Sequence, residues 1–224
     1  MLYIVSTPIG NLGDITQRAI DVLREVDVVI AEDSRRTHVL SSRYGLGNKK
    51  IIVFNEANEH KELPRIIELL KAGKTLALTT DSGTPGISDP GFLVVREAVK
   101  ENIQISQVPG ACAFVSALVC SGLPSDKFIF HGFFPKKPGQ KADLIKKAME
   151  SEITSVFYES PYRISKTLAD IAALMPERQI VVARELTKRH EQFLRGAAAE
   201  VFKQSEEQTV KGEMVVIIAP KPKD

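Results

Sequence analysis

The chain has 224 residues, which is enough for one large domain or two small ones with cores of their own. Its hydrophobic fraction of 43% excludes a disordered chain, its net charge of +2 excludes nucleic-acid binding by overall charge alone, and its two cysteines and four histidines lack metal-ligand spacing. It starts directly with an apolar strand and contains no apolar run long enough to span a membrane, so we expect a soluble, cytoplasmic protein.

Strands and helices alternate along the first half of the chain. Apolar runs predict five strands, at Leu2–Thr7, Val28–Ala31, Ile51–Phe54, Thr75–Thr79 and Ile105–Val108. Helical spacing and capping residues predict helices that begin at Asp14, end near Gly45, begin near Pro64, span Phe92–Glu101 and span Ala111–Ser121. This alternation is typical of a parallel α/β sheet.

A turn cluster at Gly122–Ser125 predicts a boundary between one α/β domain, residues 1–121, and a second, residues 122–224. An exposed basic loop is expected at Pro135–Lys141. The second half has predicted strands at Phe128–Phe134, Thr154–Tyr158, Gln179–Arg184 and Met214–Ala219, with Gln192–Arg195 as an antiparallel partner. Its predicted helices are Asp143–Ser151, Pro161–Met175 with Ser160 as N-cap, and Ala197–Gln204. We therefore predict a parallel N-terminal sheet, a mixed C-terminal sheet and a cleft between the domains.

The most distinctive stretch is the loop Thr80–Gly91, which holds three glycines, two prolines and two aspartates. It follows a predicted strand and precedes a helix, so it lies at the carboxyl edge of the sheet, where open α/β sheets bind ligands. A rigid turn with Asx hydrogen bonds is the alternative interpretation. The length of the loop favours ligand binding.

Several common signatures are absent from the sequence. There is no P-loop, no G-x-G-x-x-G after a strand and no G-x-S-x-G elbow, which disfavours three large enzyme classes. The loops that follow the strands would converge on an interdomain cleft. A ligand with polar groups and a flat or apolar part suits Ile87, Tyr158, Leu186 and Met214, and S-adenosylmethionine has this character.

Six stretches together resemble the ribosomal RNA small subunit methyltransferase I family of the tetrapyrrole methylase superfamily. They are Thr7–Leu12, Ala31–Thr37, Gly83–Gly91, Phe157–Ser160, Ala183–Lys188 and Gly212–Val215. Members of that family methylate a cytidine ribose 2′-OH in the decoding region of 16S ribosomal RNA. The resemblance runs from Leu2 to near Ile218. It implies two α/β domains of the tetrapyrrole methylase type, S-adenosylmethionine in the cleft, a homodimer, and the small ribosomal subunit as partner.

The resemblance also implies a set of cofactor-binding residues in this chain. They are Pro8, Asp81, Gly83, Thr84, Ile87, Cys112, Ala113, Tyr158, Leu186 and Met214. The chain departs from the family at Ser82, where members usually have Ala, and at Ala111-Cys112, where they often have Pro-Ser. The change at Cys112 affects a side-chain hydroxyl contact and leaves backbone contacts in place.

A general base would assist methylation of a weakly acidic ribose hydroxyl. Asp33 is the first candidate, with Arg35 orienting a nearby phosphate, and Glu159 and Glu185 are alternatives. An N-cap of the following helix is an equally good interpretation of Asp33.

Three basic clusters are candidates for contacts with RNA phosphates, although most such clusters are simply solvated surface. They are Arg35-Arg36, Lys136-Lys137 with Lys141, and Lys188-Arg189-His190.

Two other functions remain open from the sequence. A tetrapyrrole methyltransferase acting on a corrin or porphyrin precursor would share the fold but should lack Ala31–Thr37 in this form. A non-catalytic ribosome-assembly or nucleotide-binding factor could keep the cofactor loops without turnover.

Overall fold

The structure is a computed structural model that describes residues 1–207 and 212–222. The chain divides into two compact units, Met1–Cys112 and Ala113–Asp224, which are treated separately below. No helix among these described residues is both long and apolar enough to cross a membrane.

Five parallel strands form the sheet of the first unit, in the order β3-β2-β4-β1-β5. The strands are β1 (Leu2–Val5), β2 (Val28–Ala31), β3 (Lys50–Val53), β4 (Leu76–Leu78) and β5 (Ile105–Val108). The helices are α1 (Gln17–Glu25), α2 (Ser34–Tyr44), α3 (Glu59–Lys71) and α4 (Phe92–Lys100).

Helices cover both faces of the central strands β1, β2 and β4, which explains why these strands are almost continuously apolar. Ile66 of α3 and Val94 of α4 pack with one set of strand side chains, whereas Leu23 of α1 packs with the alternate set. Since β4 lies between β1 and β2, the exit loops of these three strands are neighbours at the carboxyl edge.

The second unit has a mixed sheet in the order β6-β7-β10-β8-β9. Its strands are β6 (Phe128–Phe133), β7 (Thr154–Glu159), β8 (Gln179–Arg184), β9 (Gln192–Ala197) and β10 (Met214–Ile218). Strands β6 and β7 are parallel, and the other neighbours are antiparallel. The helices are α5 (Ala113–Val119), α6 (Pro138–Glu150), α7 (Ile164–Leu174) and α8 (Ala198–Glu206).

The predicted fold class is confirmed, with a parallel first sheet and a mixed second one. The antiparallel partner predicted at Gln192–Arg195 is confirmed as β9. The chain passes from the first unit to the second between Cys112 and Ala113, whereas the sequence predicted the boundary after residue 121. Helix α5, which was expected to close the first domain, packs against β7 and β10 of the second unit.

The predicted starts of α1 and α7 were wrong because local hydrogen bonds select other residues. Helix α1 begins at Gln17, since Thr16 Oγ1 accepts the Ala19 amide at 3.1 Å, while Asp14 lies in a separate 3₁₀ turn. Helix α7 begins at Ile164 and not at Pro161, because Ser160 and its neighbours form a turn before it.

The basic loop expected at Pro135–Lys141 is shorter than predicted. Helix α6 already begins at Pro138, a residue that suits the first helical position. Lys141 therefore lies inside α6 and is buried, so its predicted exposure was wrong. Lys136 and Lys137 precede the helix and are exposed.

Replacing Leu168 by Ala is expected to lower the free energy of unfolding by about 2–5 kcal/mol, because it opens a cavity in a packed core. Leu168 is completely buried in α7, whereas Leu174 on the same helix is 37% exposed. Leu174→Ala is the matched control and should change stability much less. Urea unfolding followed by circular dichroism measures both, and equal losses would contradict the packing of α7.

Candidate functional site

The exit loops of β1 and β4 are joined by a short antiparallel backbone bridge between Thr7 and Gly83. The Thr7 amide donates to the Gly83 carbonyl at 2.8 Å, and the Gly83 amide donates to the Thr7 carbonyl at 3.1 Å. The Thr7 hydroxyl also donates to the Thr80 carbonyl at 3.0 Å. The beginning of the loop Thr80–Gly91 is therefore held by hydrogen bonds to the end of β1 as well as by the turns of the loop itself.

Two hydroxyl groups connect the same loop to the exit of β5. Thr84 Oγ1 donates to the Ala111 carbonyl at 3.1 Å and lies 2.9 Å from Ser6 Oγ. Because Thr84 uses its proton on Ala111, Ser6 is the donor in the second bond. A Cβ at Gly110 would lie 2.9 Å from Ser6 Cβ, so this close approach requires glycine.

The exit of β2 is attached to the loop by two further bonds. The Asp33 amide donates to Asp81 Oδ1 at 3.1 Å, and Thr80 Oγ1 donates to Glu32 Oε2 at 3.1 Å. Gly83 has a φ of 94°, and a Cβ there would be 3.4 Å from Ile9 Cγ2. Gly83 thus has a backbone conformation that other residues adopt only with strain, and its amide and carbonyl are both used in the bridge to Thr7.

The structure brings the predicted first-unit candidates together at this edge. Asp81, Gly83 and Thr84 are in the bridged loop, and Pro8 follows its partner Thr7. Ile87 is partly exposed and donates its amide to the Thr84 carbonyl at 3.2 Å. Cys112 is partly buried, forms no disulfide and lies at the end of the unit.

Asp33 is the N-cap of α2 and is also paired with Arg35. Its Oδ1 accepts the Arg35 amide at 2.8 Å, and its Oδ2 lies 2.5 Å from Arg35 Nη2. The hydrogen bonds from the Arg35 side chain and amide lower the pKa of Asp33 to about 2. The capping interpretation is confirmed, and this ionised, strongly paired carboxylate is a weak proton acceptor while Arg35 stays in place.

Asp81 has the opposite electrostatic character. Burial raises the pKa of Asp81, and the negative charge of Asp33 raises it further, against the lowering effect of the Asp33 amide and of Arg36 and Arg35. A partly buried carboxylate of this kind is stabilised by a nearby cation or hydroxyl donor. The residues present therefore fit a ligand that carries positive charge or hydroxyl groups.

The second-unit candidates lie where β7, β8 and β10 meet at one edge of the mixed sheet. Met214 is in register with Glu159 and with Arg184, and Leu186 follows the end of β8. The Tyr158 hydroxyl accepts the Phe114 amide at 3.3 Å, beside the start of α5 at Ala113. Ala113, Tyr158, Leu186 and Met214 are thus all at element ends.

Glu159 is completely buried and surrounded by donors. It accepts the Ser160 amide at 2.8 Å, Thr167 Oγ1 at 2.8 Å and Arg163 Nη2 at 2.6 Å. This geometry favours a structural role for the carboxylate, and its catalytic role stays a prediction.

Glu185 is in a tight turn and has a φ of 51°. Its Oε1 lies 2.9 Å from Lys188 Nζ, and a Cβ at Gly212 would be only 1.9 Å from the same oxygen. Gly212 must therefore be glycine for Glu185 to keep this position. Sequence reasoning missed the close approach of Gly212 to Glu185, because the two residues are far apart in the chain. For the same reason it missed the hydrogen bonds of Ser6 and Thr7 to the loop Thr80–Gly91.

The basic candidates are exposed to different extents. The Arg35 side chain is 88% exposed although it is paired, and Lys188 is 42% exposed beside Glu185. Arg36, Lys136, Lys137 and Arg189 are exposed as well.

Replacing Asp33 by Asn is expected to lower the pKa of Asp81, because it removes a negative charge and frees Arg35 while keeping the amide that donates to Asp81. Carbon-detected NMR titration of the Asp81 carboxyl between about pH 3 and pH 7 measures the change. Asp27→Asn is the control, since Asp27 is bound to Thr75 and Lys74 and does not affect Asp81. An Asp81 pKa unchanged by Asp33→Asn would contradict the proposed coupling.

Comparison with known proteins places these loops in a recognised family. The family model of tetrapyrrole (corrin/porphyrin) methylases matches residues 1–201. Ribosomal RNA small subunit methyltransferase I of Thermotoga maritima is 44% identical over 98% of each chain. The protein of that name from Pasteurella multocida is 44% identical over 100% of this chain and 80% of its own.

Solved structures agree in fold. Diphthine synthase superposes with a TM-score of 0.73 at 15% identity, covering 97% of this chain and 89% of its own. The cobalamin biosynthetic enzyme cobalt precorrin-4 methyltransferase superposes with a TM-score of 0.70 at 15% identity, covering 97% and 94%. Since the family model covers most of the chain and the relatives match nearly all of it, the chain belongs to the ribosomal RNA small subunit methyltransferase I family of the tetrapyrrole methylases.

Proposed function

We propose that the chain is an S-adenosylmethionine-dependent enzyme that methylates the ribose 2′-oxygen of a cytidine in the decoding region of 16S ribosomal RNA. The observation that carries the proposal is its 44% identity, over 98% of each chain, to a relative named for the small-subunit ribosomal RNA. We further propose that it works in the cytoplasm as a homodimer, on RNA within the small subunit.

S-adenosylmethionine, when bound, supplies an electrophilic methyl group on a positively charged sulfur. Asp81 suits such a cofactor, because a cation or hydroxyl donor would stabilise its partly buried carboxylate. Gly83 and Thr84 lie on a loop that the bridge to Thr7 fixes, and Ile87 offers apolar contact. Pro8 and Cys112 in the first unit, and Ala113, Tyr158, Leu186 and Met214 in the second, complete the proposed set.

The protein's main contribution to the reaction is to align the ribose oxygen with the methyl group, for which fixed loops are needed. Asp33 is the proposed general base and Arg35 the proposed phosphate contact. The two roles are linked, because a phosphate that draws Arg35 away would let the pKa of Asp33 rise from about 2 toward its ordinary value. Glu185, paired with Lys188, and buried Glu159 are the alternatives.

The RNA backbone would be held by basic side chains of both units. The proposed residues are Arg35, Arg36, Lys136, Lys137, Lys188 and Arg189. Their exposure supports this role, since phosphate contacts come from side chains that reach solvent.

Tritiated S-adenosylmethionine is expected to label 16S RNA when the protein is incubated with purified small subunits. A 2′-O-methyl group blocks alkaline cleavage, so the label should appear in an alkali-resistant dinucleotide that begins with cytidine. Free ribosomal RNA and a tetrapyrrole mixture are the parallel substrates. Label in the tetrapyrroles alone would favour a tetrapyrrole methyltransferase, and bound cofactor without any transfer would favour an assembly factor.

Asp81→Asn is expected to weaken S-adenosylmethionine binding by about 10- to 100-fold, the size of one lost charged hydrogen bond. Isothermal titration calorimetry measures the dissociation constant, and circular dichroism checks folding. Ser82→Ala is the matched control, because Ser82 is an exposed neighbour and alanine is the usual family residue there. An unchanged dissociation constant in Asp81→Asn would remove Asp81 from the cofactor site.

A further inference from the structure

Tyr162 presents its ring almost entirely to solvent, with 96% of the residue exposed. It lies in the turn between β7 and α7. Single exposed apolar side chains are common and need no ligand. The case for a ligand therefore depends on how this ring is held and on what surrounds it.

The turn that carries Tyr162 is fixed on both sides of the ring. The amides of Arg163 and Ile164 both donate to the Ser160 carbonyl at 3.1 Å. The buried Glu159 carboxylate accepts the Ser160 amide at 2.8 Å and Arg163 Nη2 at 2.6 Å. The backbone of such a turn loses little conformational entropy when the ring binds a partner.

Buried charges extend this support into α6 and α7. Thr167 Oγ1 donates to Glu159 Oε2 at 2.8 Å and accepts from Lys141 Nζ at 3.3 Å. Lys141 Nζ also lies 2.5 Å from Asp170 Oδ2. Removing one member of such a network leaves another charge buried without its partner, so the network strongly constrains the turn.

The same turn is bonded to the basic segment that follows β6. Strands β6 and β7 are parallel neighbours, so their exit loops share one edge of the sheet. Arg163 Nη1 donates to the Phe134 carbonyl at 3.0 Å, and Pro135 and the exposed Lys136 and Lys137 come next in the chain. An exposed ring on a fixed turn and two exposed ammonium groups therefore belong to one surface of the second unit.

We propose that the ring of Tyr162 is a stacking platform for an unpaired base of the RNA substrate, while Lys136 and Lys137 hold the adjacent phosphates. Proteins recognise single-stranded RNA by stacking bases on aromatic rings beside cationic groups. An acidic protein would use the lysines but would not require an aromatic face. This inference rests on the proposed function, because it assumes an RNA substrate.

The direct test uses the absence of tryptophan from the sequence. Tyr162→Trp creates a single indole, whose fluorescence a stacked base quenches. Titration with a single-stranded oligoribonucleotide of the 16S decoding region is expected to quench it, and the same RNA in a duplex should quench it much less. Phe92→Trp is the control, because Phe92 is also an exposed aromatic residue, at 65%, on a helix of the first unit. Equal quenching of both indoles, or none while RNA binds, would overturn the proposal.

Binding measurements separate stacking from charge and from apolar contact. Tyr162→Ala is expected to raise the RNA dissociation constant, and KM for RNA, by about 5- to 100-fold, the range for one stacked base. Tyr162→Phe should bind like the native chain, and Tyr162→Leu should bind like the alanine variant. Affinity for S-adenosylmethionine should not change. If Tyr162→Leu binds RNA normally, apolar contact alone accounts for the role of the side chain, no base stacks on the ring, and the proposal is wrong.

Salt dependence gives an independent check. Tyr162→Ala should leave the slope of log affinity against log salt unchanged, because stacking releases no counterions. Lys136→Ala with Lys137→Ala should flatten the slope by about 1.4, or about 0.7 for each single-strand phosphate contact. If the native protein methylates RNA and the Tyr162→Ala variant binds RNA with native affinity, this inference alone is overturned. Native protein that neither binds nor methylates RNA would overturn the proposed function and this inference together.

Discussion

The backbone bridge between Thr7 and Gly83 is the interaction on which the candidate site of the first unit depends. It holds the exit loop of β4 against the exit of β1, and the Thr84 hydroxyl and the Asp81 carboxylate on that loop reach the exits of β5 and β2. The loop thus gains its shape from three neighbouring strand exits. Gly83 is essential to this arrangement, because its φ of 94° suits a residue without a side chain.

Two carboxylates at this edge have environments that move their pKa values apart. Arg35 keeps Asp33 ionised, so the stability that this pair contributes is present above the unfolded pKa of Asp33 and is lost as the pH falls toward about 2. Burial raises the pKa of Asp81, so ionising Asp81 destabilises the fold as the pH rises through its raised pKa. A bound cation would reverse that second effect, which links ligand binding to the charge of the loop.

The sequence predicted the elements that depend on local pattern and failed where distant residues decide. Strands β2, β5 and β8 have the predicted bounds. For β2, a continuous apolar run is explained by burial on both faces. The predicted start of α7 was wrong, because the buried Glu159 carboxylate accepts a hydrogen bond from the Ser160 amide and the chain turns before the helix begins. The composition of Thr80–Gly91 predicted a ligand loop, but its partners Ser6 and Thr7 carry no local signal.

Asp33 and Glu159, two of the three acidic candidates for a general base, are distinguished by what would have to change before they could accept a proton. Asp33 is partly exposed, and its main partner is the long, exposed side chain of Arg35, which a substrate phosphate could attract. Glu159 is completely buried, and its donors are a backbone amide, a threonine hydroxyl and Arg163, all fixed within the fold. Freeing Glu159 would leave buried groups unpaired, whereas freeing Asp33 would exchange one exposed ion pair for another. The difference in cost favours Asp33 for chemistry and Glu159 for holding the turn that bears Tyr162.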